Sequence, residues 1–374
     1  MSQRVAEAQL NPVIGVVGSA GGYGRWLCEF FARRMGAEVL GHDPAQADSL
    51  APAELLRRAD VLVFSVPIQH TERVIEQYAA IDPARATDQL WLDITSVKQM
   101  PVNAMLRSGA EVVGLHPMAA PPKTPTLSGR PLVVCEARLQ RWRPWFERFL
   151  TATEAACVHC SPELHDQRMA AIQNVVHGLH LAQFLALART STNGDSPRDY
   201  LPFRTTGFEA DLATTARMLQ ADHRLYADIL LHNPNALAAL RGVQTALTDI
   251  IDSIAQRDRD ALLQGPFAEA SAWFGKDMLA EGHRTFERIG YLLVDLSVEP
   301  FVFIHLDRDA PGSLRQLLAI FEEAAINIDS LHSSRSAQGE VHFRIGFARA
   351  TSSSVLNAAL QRIEDAGLGR RVEG

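Results

Sequence analysis

Val13-Ile14-Gly15-Val16-Val17 runs straight into Gly18-Ser19-Ala20-Gly21-Gly22-Tyr23-Gly24, and an amphipathic stretch follows. A second apolar run, Val39-Leu40, ends at Asp43. Strand, glycine-rich turn, helix, strand and terminal acid, in that order, make a site that can hold a dinucleotide. Gly21 lets the backbone approach a pyrophosphate, Gly24 lets helix and sheet pack closely, and Gly18 and Gly22 complete the turn. The helix N-terminus offers unpaired N–H groups to the phosphates. Asp43 is placed to accept hydrogen bonds from a ribose and to repel a 2′-phosphate, so NAD is the expected cofactor rather than NADP. Ser19 stands where the usual G-x-G-x-x-G has its first glycine.

Outward from this turn, residues 11–160 alternate between strand and helix. Val61–Phe64, Leu90–Leu92, Val112-Val113 and Leu132–Val134 are short continuous apolar runs, as in strands buried on both faces. Helical stretches at 53–58, 71–79 and 139–150 separate them. The expectation is an α/β fold, a Rossmann-like doubly wound parallel sheet. Residues 161–296 change character. His165 to Ala188 reads as one long helix, and further helices follow near 209–220, 224–231, 235–255 and 258–289. This block is expected to be all-helical, to carry substrate contacts and to pair two chains as a homodimer. Residues 299–374 read βαββα with a short tail, the ferredoxin-like α+β pattern.

The chain has 374 residues, 47% hydrophobic and 21% charged, with a formal net charge of −7. That balance gives no footprint for nucleic acid, and no apolar run reaches the length of a membrane span. Residues 1–12 lack a hydrophobic signal core, so a cytoplasmic protein is expected. Four cysteines in so long a chain do not make a disulfide framework. Cys157 and Cys160 form a C-x-x-C on a predicted strand, where residues three apart face opposite sides, so buried free thiols are expected.

Ligands of open α/β sheets bind beyond the carboxyl ends of the strands. Ser65-Val66-Pro67, Asp93–Lys98 and Gly114–Met118 all lie there and should face the nicotinamide end of a bound cofactor. His116 is suited to accept a hydroxyl proton as hydride leaves the same carbon, and Ser96 to hydrogen-bond that hydroxyl. A histidine that only caps its strand is the bland alternative. His165 reads as a helix cap or a catalytic group, and Lys98 as a cofactor or substrate contact or a solvated side chain. His177 and His180 share helical spacing without a third ligand, so no metal is expected.

Taken together, Ser65-Val66-Pro67, Thr95–Lys98, Gly114–Met118, His165-Asp166-Gln167 and Leu225–Ile229 resemble the prephenate dehydrogenases of tyrosine biosynthesis, which include arogenate and cyclohexadienyl dehydrogenases. The resemblance spans about Val13 to Gly290. It implies NAD-dependent oxidative decarboxylation of prephenate to 4-hydroxyphenylpyruvate, with His116 and Ser96 catalytic and Arg217, His177 and Tyr226 toward the substrate. Arginine can bind a carboxylate through two parallel hydrogen bonds. Ala119–Lys123 departs from the acid or glycine of some members, which leaves arogenate open as a substrate. The tail beyond Glu299 resembles the amino-acid-sensing ACT domain. That likeness implies an aromatic amino-acid effector near Gly312, Asn327 and Ile328; a purely structural tail is the alternative. From a different class, a non-catalytic NAD- and amino-acid-binding sensor is the competing reading.

Overall fold

The computed structural model describes residues 11–121, 126–191, 194–297, 300–306, 310–335 and 341–372. Contacts divide the chain into two compact units, one running to Arg259 and one from Asp260.

The first unit is built on a seven-stranded sheet. Its strands are β1 (Ile14–Val17), β2 (Val39–His42), β3 (Val61–Phe64), β4 (Leu90–Asp93), β5 (Glu111–Pro117), β6 (Pro131–Arg138) and β7 (Ala156–His159), in spatial order β2-β1-β3-β4-β5-β6-β7. Alternate residues of the same strands feed two cores. Ile14, Val16, Val61, Val63, Leu90 and Leu92 pack against Phe30, Phe31, Trp145 and Phe149 on one face. Val17, Leu62, Phe64 and Trp91 pack against Leu55, Ile75 and Tyr78 on the other. Each such side chain contributes about 1.5–3 kcal/mol when fully buried. This two-sided burial is why the strands read as unbroken apolar runs.

Within the expected doubly wound parallel sheet the strand direction reverses once: β6 runs antiparallel to β5, while β6 and β7 are parallel to each other. A parallel return needs a crossover, usually a helix. Here the Met118 N–H already donates to the Pro131 carbonyl (3.0 Å), so the chain folds back as a hairpin.

Helices α1 (Gly22–Glu29), α2 (Pro52–Arg58), α3 (Ile68–Ile81), α4 (Gln99–Leu106) and α5 (Arg143–Thr153) flank the sheet. Ile68, Thr71, Ile75 and Tyr78 give α3 one buried stripe at three- and four-residue spacing. The helical block then starts with α6 (Pro162–Met169), where the Ser161 hydroxyl accepts from the Leu164 N–H and Pro162 opens the first turn. The predicted single helix from His165 is interrupted. Residues Ala170–Val175 form a π-turn before α7 (Val176–Thr190). Next come α8 (Thr206–Gln220), α9 (His223–His232) and α10 (Ala236–Ala255), and Gly178 leaves room for Leu240 of α10. The block is tied to the sheet layer by Ile229, which packs with Ile68 and Val97, and by Asp228, which accepts from the Gln69 N–H at the start of α3 (3.3 Å).

In the second unit, α11 (Ala268–Ser297) bends at Gly275, where φ is +69°. The remaining elements are β8 (Phe301–Leu306), α12 (Ser313–Glu323), β9 (Ile328–Arg335), β10 (Val341–Phe347), α13 (Ser353–Asp365) and β11 (Arg370–Val372). Their antiparallel order, β11-β8-β10-β9, completes the ferredoxin-like pattern with a fourth strand from the tail. Ile304, Leu317, Phe321, Ile345, Phe347 and Leu360 are among its core residues.

The glycine turn fixes how β1 meets α1. A Cβ on Gly24 would lie 2.0 Å from the Gly18 carbonyl oxygen and 2.9 Å from the Ser19 Cα, backbone atoms that cannot readily yield. Gly36, by contrast, has positive φ (+65°) and nothing within 4 Å of its would-be Cβ. Gly24→Ala should therefore cost about 3 kcal/mol or more, and Gly36→Ala about 1 kcal/mol of backbone strain. Urea unfolding of the two variants checks this, and equal losses would contradict it.

Candidate active site

The nucleotide end of the site is set by backbone geometry. Gly18 adopts φ +87°, and a Cβ there would sit 2.2 Å from the Ser65 carbonyl oxygen, so this position admits only glycine. Gly21 is the N-cap of α1 and is exposed, leaving the first N–H groups of the helix accessible. Asp43 follows β2 and reaches the turn: Oδ2 accepts from the Ala20 N–H (3.0 Å) and Oδ1 from the Ala45 N–H (2.9 Å). Beside them is a surface recess lined by Ser19, Gly22, Arg25, Trp26, Gly41 and Gln46. Ser19 is held by a hydrogen bond to Gln46 (3.3 Å), and its hydroxyl occupies the space in front of Gly41. Pro67 caps α3, and the Ser65 N–H continues the sheet to the Val17 carbonyl (2.8 Å). The segment after β5 returns to this turn, where the Tyr23 hydroxyl donates to the Ala119 carbonyl and Pro121 abuts Gly22.

The chemical end is a buried polar chain. His116, near the carboxyl end of β5, is 3% exposed. Its Nδ1 lies 2.9 Å from Nε2 of His165, and Nδ1 of His165 lies 2.7 Å from Oδ1 of Asp166. Proton positions follow from this order. The carboxylate only accepts, so His165 donates from Nδ1 and its neutral Nε2 accepts. His116 then donates from Nδ1, which leaves its Nε2 lone pair free to take a proton. Burial, then the neighbouring His165 and Lys98, hold His116 well below the ordinary histidine value, so it is a neutral base. Burial also lowers His165, against the pull of Asp166.

Lys98 is fully buried, which corrects the expectation that it meets ligand or solvent. Its ammonium donates to both oxygens of Asp93 (2.6 Å each) and to the Leu115 carbonyl (2.7 Å). Thr95 donates to the same carboxylate (2.6 Å). Burial raises the Asp93 carboxyl, with Lys98 opposing it. The backbone N–H groups of Lys98 and Gln99 donate to the two oxygens of Asp166 (2.8 and 2.9 Å), and Asn233 donates to the Asp166 carbonyl (2.8 Å). Lys98 thus links the loop after β4, the strand of His116 and the start of the helical block. His165 is not a helix cap, since Ser161 has that role; it orients His116.

Ser96 is half-buried in the same loop, two residues before Lys98. The residues expected toward the substrate gather on three helices. The rings of His177 and Tyr226 meet edge to face at 4.9 Å between centroids. Burial, then the neighbouring Arg217 and His180, lowers His177. Arg217 is exposed, and its carbonyl accepts from the Ala221 N–H at the end of α8 (3.1 Å), which leaves the guanidinium at the surface. His180 turns to the Val176 carbonyl (2.8 Å) and Asp211 (3.3 Å). Among the described residues no cluster of three or more His, Cys, Asp or Glu could hold a metal. On a straight helix, at about 100° per residue, His177 would point about 120° away from His165. The π-turn between them widens the helix and changes that relation. In the second unit, Gly312 has φ +95° and caps α12, Asn327 is exposed and Ile328 opens β9.

A Rossmann-like sheet, a glycine turn and an oriented base at the strand ends define a nucleotide-binding oxidoreductase. Comparison with known proteins narrows the class. The model of the prephenate dehydrogenase nucleotide-binding domain matches residues 37–140, and that of the prephenate dehydrogenase dimerization domain matches residues 161–265. T-protein of Enterobacter agglomerans is 31% identical over 269 residues, covering 71% of this chain and 68% of that protein. A Methanocaldococcus jannaschii protein named "Probable arogenate/prephenate dehydrogenase" is 25% identical, covering 71% of this chain and 62% of that protein. The crystal structure of prephenate dehydrogenase from A. aeolicus, in complex with hydroxyphenyl propionate and NAD+, has the same fold. Its TM-score is 0.57 at 19% identity, over 67% of this chain and 93% of that one. The chain belongs to the prephenate dehydrogenase family. No helix among the described residues is long and apolar enough to cross a membrane.

Removing the Lys98 ammonium leaves Asp93 buried without its cation. Lys98→Met should cost about 3–5 kcal/mol, and adding Asp93→Asn should restore much of it. Chemical denaturation of both single variants and the double variant tests this; simply additive losses would contradict it.

Proposed function

We propose that this chain oxidises and decarboxylates prephenate to 4-hydroxyphenylpyruvate, a step of tyrosine formation, with NAD as cofactor. The observation that carries the reading is the ordered chain from Asp166 through His165 to His116 at the carboxyl end of β5. NAD, when bound, supplies the hydride acceptor. The glycine turn fits a dinucleotide: it keeps side chains away from the first turn of α1, and the Asp43 carboxylate beside it disfavours a 2′-phosphate.

His116 Nε2 takes the proton of the substrate hydroxyl, while Ser96 holds that hydroxyl in line. The resulting imidazolium is stabilised through His165 by the Asp166 carboxylate. Loss of CO₂ from the opposite ring carbon restores aromaticity, so the protein's remaining task is to orient a dianion. Arg217 fits that task as an exposed cation beside His177 and Tyr226. Arogenate is the second reading, favoured by the printed name of the M. jannaschii relative. The exposed apolar side chains Leu181, Leu185, Leu247, Ile251 and Ile254 support a homodimer through the helical block. The tail is read as an ACT-like regulatory domain, with an aromatic amino acid bound near Gly312, Asn327 and Ile328.

The test is NADH formation from prephenate and from arogenate, each with NAD and with NADP. Prephenate with NAD should be the best pair. His116→Ala should lower kcat about 10²–10⁴-fold with NAD affinity little changed. Near-normal turnover in that variant, or no reduced cofactor from either substrate, would overturn the reading.

A further inference from the structure

Sequence spacing pairs Cys160 with Cys157, but the sheet pairs it with Cys135. In the parallel register of β6 and β7, Pro131 lies opposite Ala156 and Val134 opposite His159. One step further along, Cys135 lies beside Cys160, and the Cys160 N–H donates to the Val134 carbonyl (3.1 Å), extending the ladder. Neighbouring strands are about 4.7–4.9 Å apart. That spacing falls within the Cα separation of about 4.4–6.8 Å that a disulfide spans. The two sulfurs are 4.0 Å apart, and both thiols are free. Side-chain rotation can therefore bring them to bonding distance without moving backbone. Cys157 points elsewhere, its thiol toward the Ala155 carbonyl (3.8 Å), and Cys28 lies on α1.

We propose that Cys135 and Cys160 are a modification site, a dithiol that hydrogen peroxide oxidises to an intramolecular disulfide joining β6 to the residue after β7. Cys160 is partly exposed and meets the oxidant first, whereas Cys135 is buried. The Cys160 sulfur attacks one peroxide oxygen, the O–O bond breaks, and a sulfenic acid and one water result. The Cys135 sulfur then attacks the Cys160 sulfur. The S–O bond breaks, and the departing hydroxide leaves as water with the Cys135 proton. Two thiols lose two electrons and two protons, and one peroxide becomes two waters. Burial and the adjacent thiol hold Cys135 above the ordinary thiol range, so closure is slow near neutral pH and accelerates in alkali.

The test uses the full reduced chain treated with hydrogen peroxide, then alkylated, digested and mapped by mass spectrometry. A Cys135–Cys160 linked peptide and loss of two of the four free thiols are expected, both reversed by dithiothreitol. A chain carrying Cys28→Ser and Cys157→Ser should cross-link like the original. Cys160→Ser should abolish the link. If that variant does not fold, the peptide map of the unsubstituted chain decides alone. Recovery of Cys135 and Cys160 as free thiols while other cysteines oxidise would overturn the proposal. So would a bridge through Cys28 or Cys157, or a bridge between chains.

Discussion

Asp166 is fully buried, and its two oxygens take hydrogen bonds from the Lys98 and Gln99 N–H groups and from His165. A buried carboxylate is costly unless its acceptors are filled, so these partners have little freedom to move. The loop after β4 is fixed by two of the bonds and the first turn of the helical block by the third. Lys98 repeats the arrangement one step deeper, joining Asp93 at the end of β4 to the Leu115 carbonyl in the strand of His116. His116 is therefore positioned by fixed charges in two layers rather than by its own strand alone. The same contacts decide which ring nitrogen carries a proton.

Helix geometry supplies the other half of the arrangement. The helical block must present His165 to the sheet and His177 toward Tyr226 and Arg217, although twelve residues of regular helix would turn the two histidines apart. The π-turn at Ala170–Val175 lies between the two histidines and breaks the regular 3.6-residue register. Within it, the Asn174 amide donates to the Ile229 carbonyl (2.7 Å), which holds the widened turn against α9. π-turns inside helices recur at functional sites, and a change of register is the physical effect of this one.

Much of this was legible in the sequence, for reasons of period and chemistry. Strands buried on both faces, such as β1, β3 and β4, appear as unbroken apolar runs, which makes them readable. The turn itself was legible because a Cβ at Gly18 or Gly24 would strike backbone and because Asp43 follows β2. The direction of β6 was not readable, since an apolar run carries no sign of which way it lies. The π-turn was not readable either, because its residues are as apolar as those of a regular helix. In the sequence Lys98 and Asp166 are motif letters with no sign of the network they form. Isolated polar residues carry no record of which buried partner they meet. One signal was available: Asp93 closes an otherwise apolar strand, and a buried acid needs a cation within reach.

This network keeps His116 neutral, protonated on Nδ1 and open at Nε2. Nitrogen NMR of the ¹⁵N-histidine-labelled enzyme, followed through a pH titration, reads that state directly. The account predicts a single Nδ1–H tautomer for His116 that persists as pH falls below the ordinary histidine value of about 6.5. Asp166→Asn should scramble that tautomer. A His116 that titrates near 6.5, or that carries its proton on Nε2, would contradict the account.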